Sequence, residues 1–290
     1  MGILKAMAYS TQMFANLADH TYVECGNGGK GWKCWGGKTG GKELRRGIGS
    51  TKRADKIAQP DEKAGIKCYL VNGVCHQAAN RILLPAGITV RGARGYSISE
   101  ALFGTYGRVR FWPCHAPFNK YPTVKGDLLE CILSHSKGME EASFHVRSTS
   151  EKLDTQYIKG VLDIYEGAAP AFKSKSLAEG QSADLQLKLF MYMAEFHLGP
   201  MLNSRTTKRI MGIREDTEKA ILKAQKFLEK RGVLKSEERT IHVDYVEAFN
   251  KITIDFQEAM AKSMTVEQYK TLFDLEPEER IILADPRIVS

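Results

Sequence analysis

At the amino end, apolar and polar positions alternate, and only later do they recur at helical spacing. "HTYVEC" (20–25) followed by "GNGGKGWKCWGG" has the alternation and glycine punctuation of a strand, a turn and a second strand, and "AMAYSTQMF" before it is β-favourable in places. From Gly36 to Lys67 the text is Gly, Lys, Arg and Asp with few large apolar residues. This predicts a long basic loop region, relieved by a short helix around "STKRADKIAQ". "IKCYL" is a short apolar run leading to Asn72, a good helix-capping residue type. Val74, Ala78 and Ile82 then recur at helical spacing, and Pro85 stops the helix near Leu84. Cys75 is thereby expected in the first turn of a short helix. "GITVRGA" predicts another strand, and "SISEALFGTYG" opens a helix with Ser97 and Glu100 at capping-box spacing.

After Ser150 the period changes. Helices are predicted at about 152–166, 183–198, 206–231, 241–263 and 265–274, the last opening with Thr265 and Gln268 at capping-box spacing. The stripes Ile221, Ala224, Phe227, Leu228 and Val246, Phe249, Ile252, Phe256, Met260 have the three-and-four spacing of core-facing helices. The expected fold is α+β: a domain over residues 1–150 with an antiparallel sheet, followed by an all-α helical domain over 151–290.

Composition sharpens that division. Residues 1–150 hold 21 Lys and Arg against 11 Asp and Glu, a net +10, whereas 151–290 hold 21 against 23, a net −2. All six cysteines, all three tryptophans and 20 of the 26 glycines lie in the first half. Six cysteines in 290 residues do not demand disulfides, which are a device of small secreted domains. No run approaches the roughly 18–20 apolar residues of a membrane span. The opening "MGILKAMAYSTQMF" lacks a sustained apolar run, and Ala6 stands where a lipid-anchor motif needs Ser or Thr. The expectation is a soluble, cytoplasmic chain with no membrane partner.

Two motifs fail on spacing. In "GWKCWGGKTGG", counting back from Gly37-Lys38-Thr39 places Trp32 where a phosphate-binding loop needs its first glycine, and Gly31 is one position too early. Zinc ligands usually come in tight pairs, but Cys25 to Cys34 and Cys68 to Cys75, with His20 or His76 nearby, are too loosely spaced. No metal site is expected.

Cys75 carries more. At a helix N-terminus the unpaired amides and the dipole favour the thiolate, the nucleophilic form, and the same amides can accept the oxyanion of an attacked carbonyl. His76 cannot be its base, because adjacent helical side chains point about 100° apart. His20 is the best candidate, since the run "TYVEC" allows a strand to present it rigidly; His115 is second, and His135 and His145 are further possibilities.

"ADHTYVE" upstream and "NGVCHQAANRI" downstream together resemble the circularly permuted branch of the papain-like (NlpC-type) cysteine hydrolases, in which the histidine strand precedes the nucleophile's helix. The resemblance spans about residues 10–110. It implies that Cys75 attacks an amide or ester carbonyl and that His20 takes and returns the proton through an acyl-enzyme, with no cofactor. The substrate would be a peptide or a cell-wall-type amide. It also implies a polar residue orienting the histidine, for which Glu24, Asp19 and Gln59 are candidates, Glu24 foremost because it shares a strand face with His20. Asn72 or Gln77 would add a donor to the oxyanion hole. The helical half would recruit a protein partner or cover the cleft, and the stretch Gly26–Gly49 would be a flap.

The basic half supports a rival. Trp32, Trp35, Tyr69, Tyr96, Tyr106 and Trp112 among lysines and arginines suit a nucleic-acid partner bound by phosphate contacts and stacking. No recognition signature accompanies them. A third alternative is a non-enzymatic scaffold in which the helical half makes the contacts.

Overall fold

The alternating amino end builds a four-stranded antiparallel sheet in the computed structural model, which describes residues 1–11, 16–26, 30–58, 60–66, 68–108, 149–173, 179–230 and 243–288. Strands β1 (Gly2–Tyr9), β2 (His20–Cys25), β3 (Gly31–Trp32) and β4 (Lys42–Gly49) lie in the order β3-β2-β1-β4. Tyr9 stands opposite His20, and Val23 opposite Trp32. β4 falls inside the stretch expected to be loop. Its Lys42, Arg45 and Arg46 hide the strand pattern, yet charged residues are what an edge strand carries to prevent further pairing.

Helix α1 (Thr51–Ala58) follows as expected, then α2 (Cys75–Leu83), which runs into a 3₁₀ turn at Leu84–Ala86 containing Pro85. Asn72 is not its cap. Val74 is the N-cap residue, while Asn72 Oδ1 accepts from Cys68 N at 3.1 Å and closes the preceding turn. "GITVRGA" is not a strand: Gly87 and Gly92 have positive φ, and Asn80 Oδ1 takes the Val90 amide at 2.9 Å. α3 (Tyr96–Phe103) begins after Gly95 without a side-chain cap. Glu100 turns inward instead, and its Oε1 accepts from the hydroxyls of Tyr96, Thr105 and Tyr157.

The second half is helical among the described residues: α4 (Thr149–Lys173), α5 (Glu179–Leu198), α6 (Ser204–Lys230), α7 (Val243–Ser263) and α8 (Val266–Phe273). The Thr265–Gln268 capping box of α8 is formed. Val246, Phe249, Phe256 and Met260 are buried as their spacing predicts, but Phe227 is exposed. No helix among the described residues is long and apolar enough to cross a membrane.

The compositional boundary near residue 150 does not separate two cores. One apolar cluster joins Ala18, Leu70, Val71, Val74, Ile98 and Phe103 of the first half to Ile158, Phe190, Phe249 and Ile281 of the second. A smaller cluster lies between the sheet, α1 and α2.

Candidate active site

α2 packs across β2, and alternate residues of β1 (Leu4, Ala6, Ala8) share the smaller core with Ala78, Ala79 and Ile82 of the helix. This packing brings the first residue of α2, Cys75, to the His20 end of β2. β3 reaches only Val23 and Glu24, so it leaves the sheet edge beside His20 and Thr21. Cys75 and the turn at 33–37 fill that edge. The His20 imidazole and the Cys75 thiol are neighbours, and each acts on the other's ionisation. Thr21 lies beside the same sulfur and favours its thiolate, and the buried Thr21 hydroxyl has no hydrogen-bond partner among the described residues. The Tyr69 hydroxyl is 3.9 Å from Cys75 Sγ and the Asp19 carbonyl is 4.0 Å away. Only 3 % of Cys75 and 9 % of His20 are exposed, so little water competes for these contacts.

The electrostatics shift both groups toward their charged forms. Burial pushes the Cys75 thiol up, but the charge of His20, its hydrogen bond and the Thr21 donors outweigh it and hold the thiol below its ordinary value. Burial likewise pulls the His20 imidazole down, and the Cys75 thiolate together with the Lys33 and Gly37 carbonyls holds it above. The comparison cysteines behave oppositely: burial leads in raising both Cys25 and Cys34. The Tyr69 phenol is raised well above its usual value by burial and then by the negative charge of Cys75. It therefore stays a neutral O–H donor beside the sulfur, with the Cys75 main-chain N–H directed at its oxygen.

Other residues singled out in the sequence lie elsewhere or serve other ends. Glu24 lies beside the Tyr22 phenol and raises it; His20 Nε2 lies 3.0 Å from the Lys33 carbonyl and 3.1 Å from that of Gly37. The Asp19 carboxylate accepts from Arg94 N at 3.0 Å. The Asn72 amide bonds at both ends within its own loop, Oδ1 accepting from Cys68 N and Nδ2 donating to the Gly65 carbonyl. Gln77 is also spent: its Oε1 takes the Val74 amide, and its Nε2 donates to Ser99 Oγ and the Gly104 carbonyl. His76 is fully buried between Ser99 Oγ (2.7 Å) and the Asp19 carbonyl (3.0 Å). Gln59, Trp112, His115, His135 and His145 lie outside the described residues.

Of the aromatic residues offered for stacking on bases, Trp32, Tyr96 and Tyr106 are buried. Among the described residues no group of three His, Cys, Asp or Glu side chains is placed to hold a metal ion, and Cys68 is disulfide-bonded, although composition did not require a bridge.

Thr21 and Tyr69 are the residues the sequence reading did not assign to the site. Thr21 follows the candidate histidine directly, and strand alternation argues against both lying beside one sulfur; the end of β2 that β3 leaves uncovered is what permits it. No family model, curated protein or solved structure matches the chain.

Proposed function

We propose that this protein is a cysteine-dependent hydrolase that cleaves an amide or peptide bond through an acyl-enzyme, in the manner of the circularly permuted papain-like enzymes that its sequence resembles. The observation that carries this reading is the buried juxtaposition of His20, at the start of β2, and Cys75, at the first position of α2. The chain order, histidine strand before nucleophile helix, and the antiparallel sheet support the permuted arrangement.

The Cys75 thiolate attacks the substrate carbonyl carbon. The oxygen becomes an oxyanion within reach of the Cys75 N–H at the helix start and the Tyr69 hydroxyl, donors already aimed beside the sulfur. The C–N bond breaks as the His20 imidazolium gives its proton to the departing amine. Water then attacks the thioester with His20 as base, releasing the acid and restoring the thiol.

The test is alkylation of the folded protein with iodoacetamide across pH, followed by peptide mapping. Cys75 is expected to label ahead of Cys25 and Cys34, with an apparent pKa well below the ordinary thiol value of about 8.5, and His20→Ala should remove that advantage. Labelling of Cys75 no faster than the others, or only after unfolding, would end this reading.

A further inference from the structure

The papain-like resemblance leads one to expect a polar side chain orienting the histidine, and neither Glu24 nor Asp19 does so. Two main-chain carbonyls face His20 Nε2 instead, Lys33 O at 3.0 Å and Gly37 O at 3.1 Å. A carbonyl oxygen can only accept, so the nitrogen between them must carry a hydrogen. Nδ1 is then the nitrogen left for the Cys75 thiol, and it is the one free to take the proton.

The turn that presents these carbonyls is unusual. Gly36 N donates to Lys33 O at 3.1 Å, closing a four-residue turn whose central residues, Cys34 (φ 51°) and Trp35 (φ 82°), are both left-handed. Turns with two such residues normally take Asn, Asp or Gly there, because a larger side chain is strained in this region. The neighbours hold it in place. Glu62 Oε2 accepts from Lys33 N at 2.9 Å, Trp35 Nε1 donates to the Ile66 carbonyl at 3.0 Å, and Lys63 lies over the Trp35 ring at 3.7 Å. Gly37 N donates to the Tyr9 hydroxyl at 3.3 Å, and Tyr9 in turn packs its ring 4.9 Å from that of His20. Gly36 lies against the imidazole so closely that a Cβ there would meet ring atoms at 2.5–2.9 Å.

Resting on the dyad reading above, we infer that this strained turn is the positioning element of the site: the Lys33 and Gly37 carbonyls replace an orienting side chain and fix His20 as the Nε2–H tautomer, with Nδ1 toward Cys75. The glycine-rich stretch is thus part of the catalytic machinery through its main chain. Proton transfer depends on the turn's conformation.

The direct measurement is the long-range ¹H–¹⁵N spectrum of the full chain carrying Cys75→Ala, taken near about pH 8 so that a histidine of ordinary pKa is neutral. His20 is expected as the Nε2–H tautomer. Glu62→Ala, which frees the Lys33 amide, should shift it toward the Nδ1–H form, and Glu62→Gln, which keeps an acceptor, should restore it. With Cys75 intact, Gly36→Ala should slow Cys75 alkylation at neutral pH about tenfold for each pKa unit of thiolate stabilisation lost. The inference is overturned if neutral His20 carries its proton on Nδ1, or if its tautomer ignores Glu62→Ala while the fold is intact by circular dichroism. Should Gly36→Ala not fold, the Glu62 pair decides alone. Failure of the dyad itself would be read separately, in unselective labelling of the unsubstituted chain.

Discussion

Cys75 and His76 are adjacent yet serve opposite ends. Cys75 takes the helix start beside His20, whereas His76 is sealed in the core, donating from Nε2 to the Asp19 carbonyl with Nδ1 against Ser99 Oγ. Burial drives its pKa down to about 4. Between that value and the unfolded value of about 6.5, the unfolded chain binds a proton that the folded one refuses. The stability His76 contributes is therefore fully present above about 6.5 and lost as the pH falls toward about 4, to the extent of roughly 3 kcal/mol. Urea midpoints measured across that window should fall on acidification, and His76→Gln should flatten the slope; an unchanged slope in the variant would assign the effect to other groups. At this scale the sequence was legible where a side chain forms the candidate site. The spacing of Val74, Ala78 and Ile82 placed Cys75, and the strand text placed His20. It was silent on the Lys33 and Gly37 carbonyls and the Thr21 N–H, because every residue has those groups and only the fold decides where they point.

Among the elements, β4 shows what patterning misses. Its charged residues read as loop, yet it pairs along β1 and its last residue, Gly49, abuts the 3₁₀ turn that ends α2. A Cβ at Gly49 would lie 2.6 Å from the Pro85 carbonyl oxygen and 2.8 Å from Ala86 N, both main chain and unable to step aside cheaply. Gly167 in α4 is the counterexample, with open space around the same position. Gly49→Ala is expected to destabilise by about 1–3 kcal/mol through overpacking. Gly167→Ala should stabilise by about 0.5–1 kcal/mol by restricting the unfolded chain. Denaturant midpoints at constant slope measure both, and equal shifts of one sign would refute the distinction. Helices α4 to α8 were legible because an amphipathic period over ten or more residues outweighs local accidents. The expected strand at "GITVRGA" failed because glycine φ values and the Asn80 side chain, neither visible in a hydropathy pattern, took its main-chain partners.

Across the whole molecule, the two halves are joined by more than a shared apolar cluster. The segment after α8 returns to the site: Ile282 exchanges main-chain hydrogen bonds with Asn16 and Ala18, and the Leu283 carbonyl accepts from the Tyr69 hydroxyl at 3.4 Å. Nearby, Arg108 of the first half and Arg214 of α6 both pair with Glu218, all three at most 3 % exposed. Removing one member of such a group strands buried charge and costs about 3–5 kcal/mol, although the intact group is weak evidence of net stabilisation. Glu218→Ala should therefore lower stability by about that amount, and it should do so everywhere at once. The chain supplies independent probes, since all three tryptophans lie in residues 1–150 and helices α4 to α8 in the rest. Tryptophan fluorescence and far-ultraviolet circular dichroism are expected to give one coincident unfolding transition, with both probes shifting together in the Glu218 variant. Two separated transitions would mean that the shared core does not couple the halves. A single one would mean that the helical half, far from an appended module, is part of what holds Tyr69 beside Cys75.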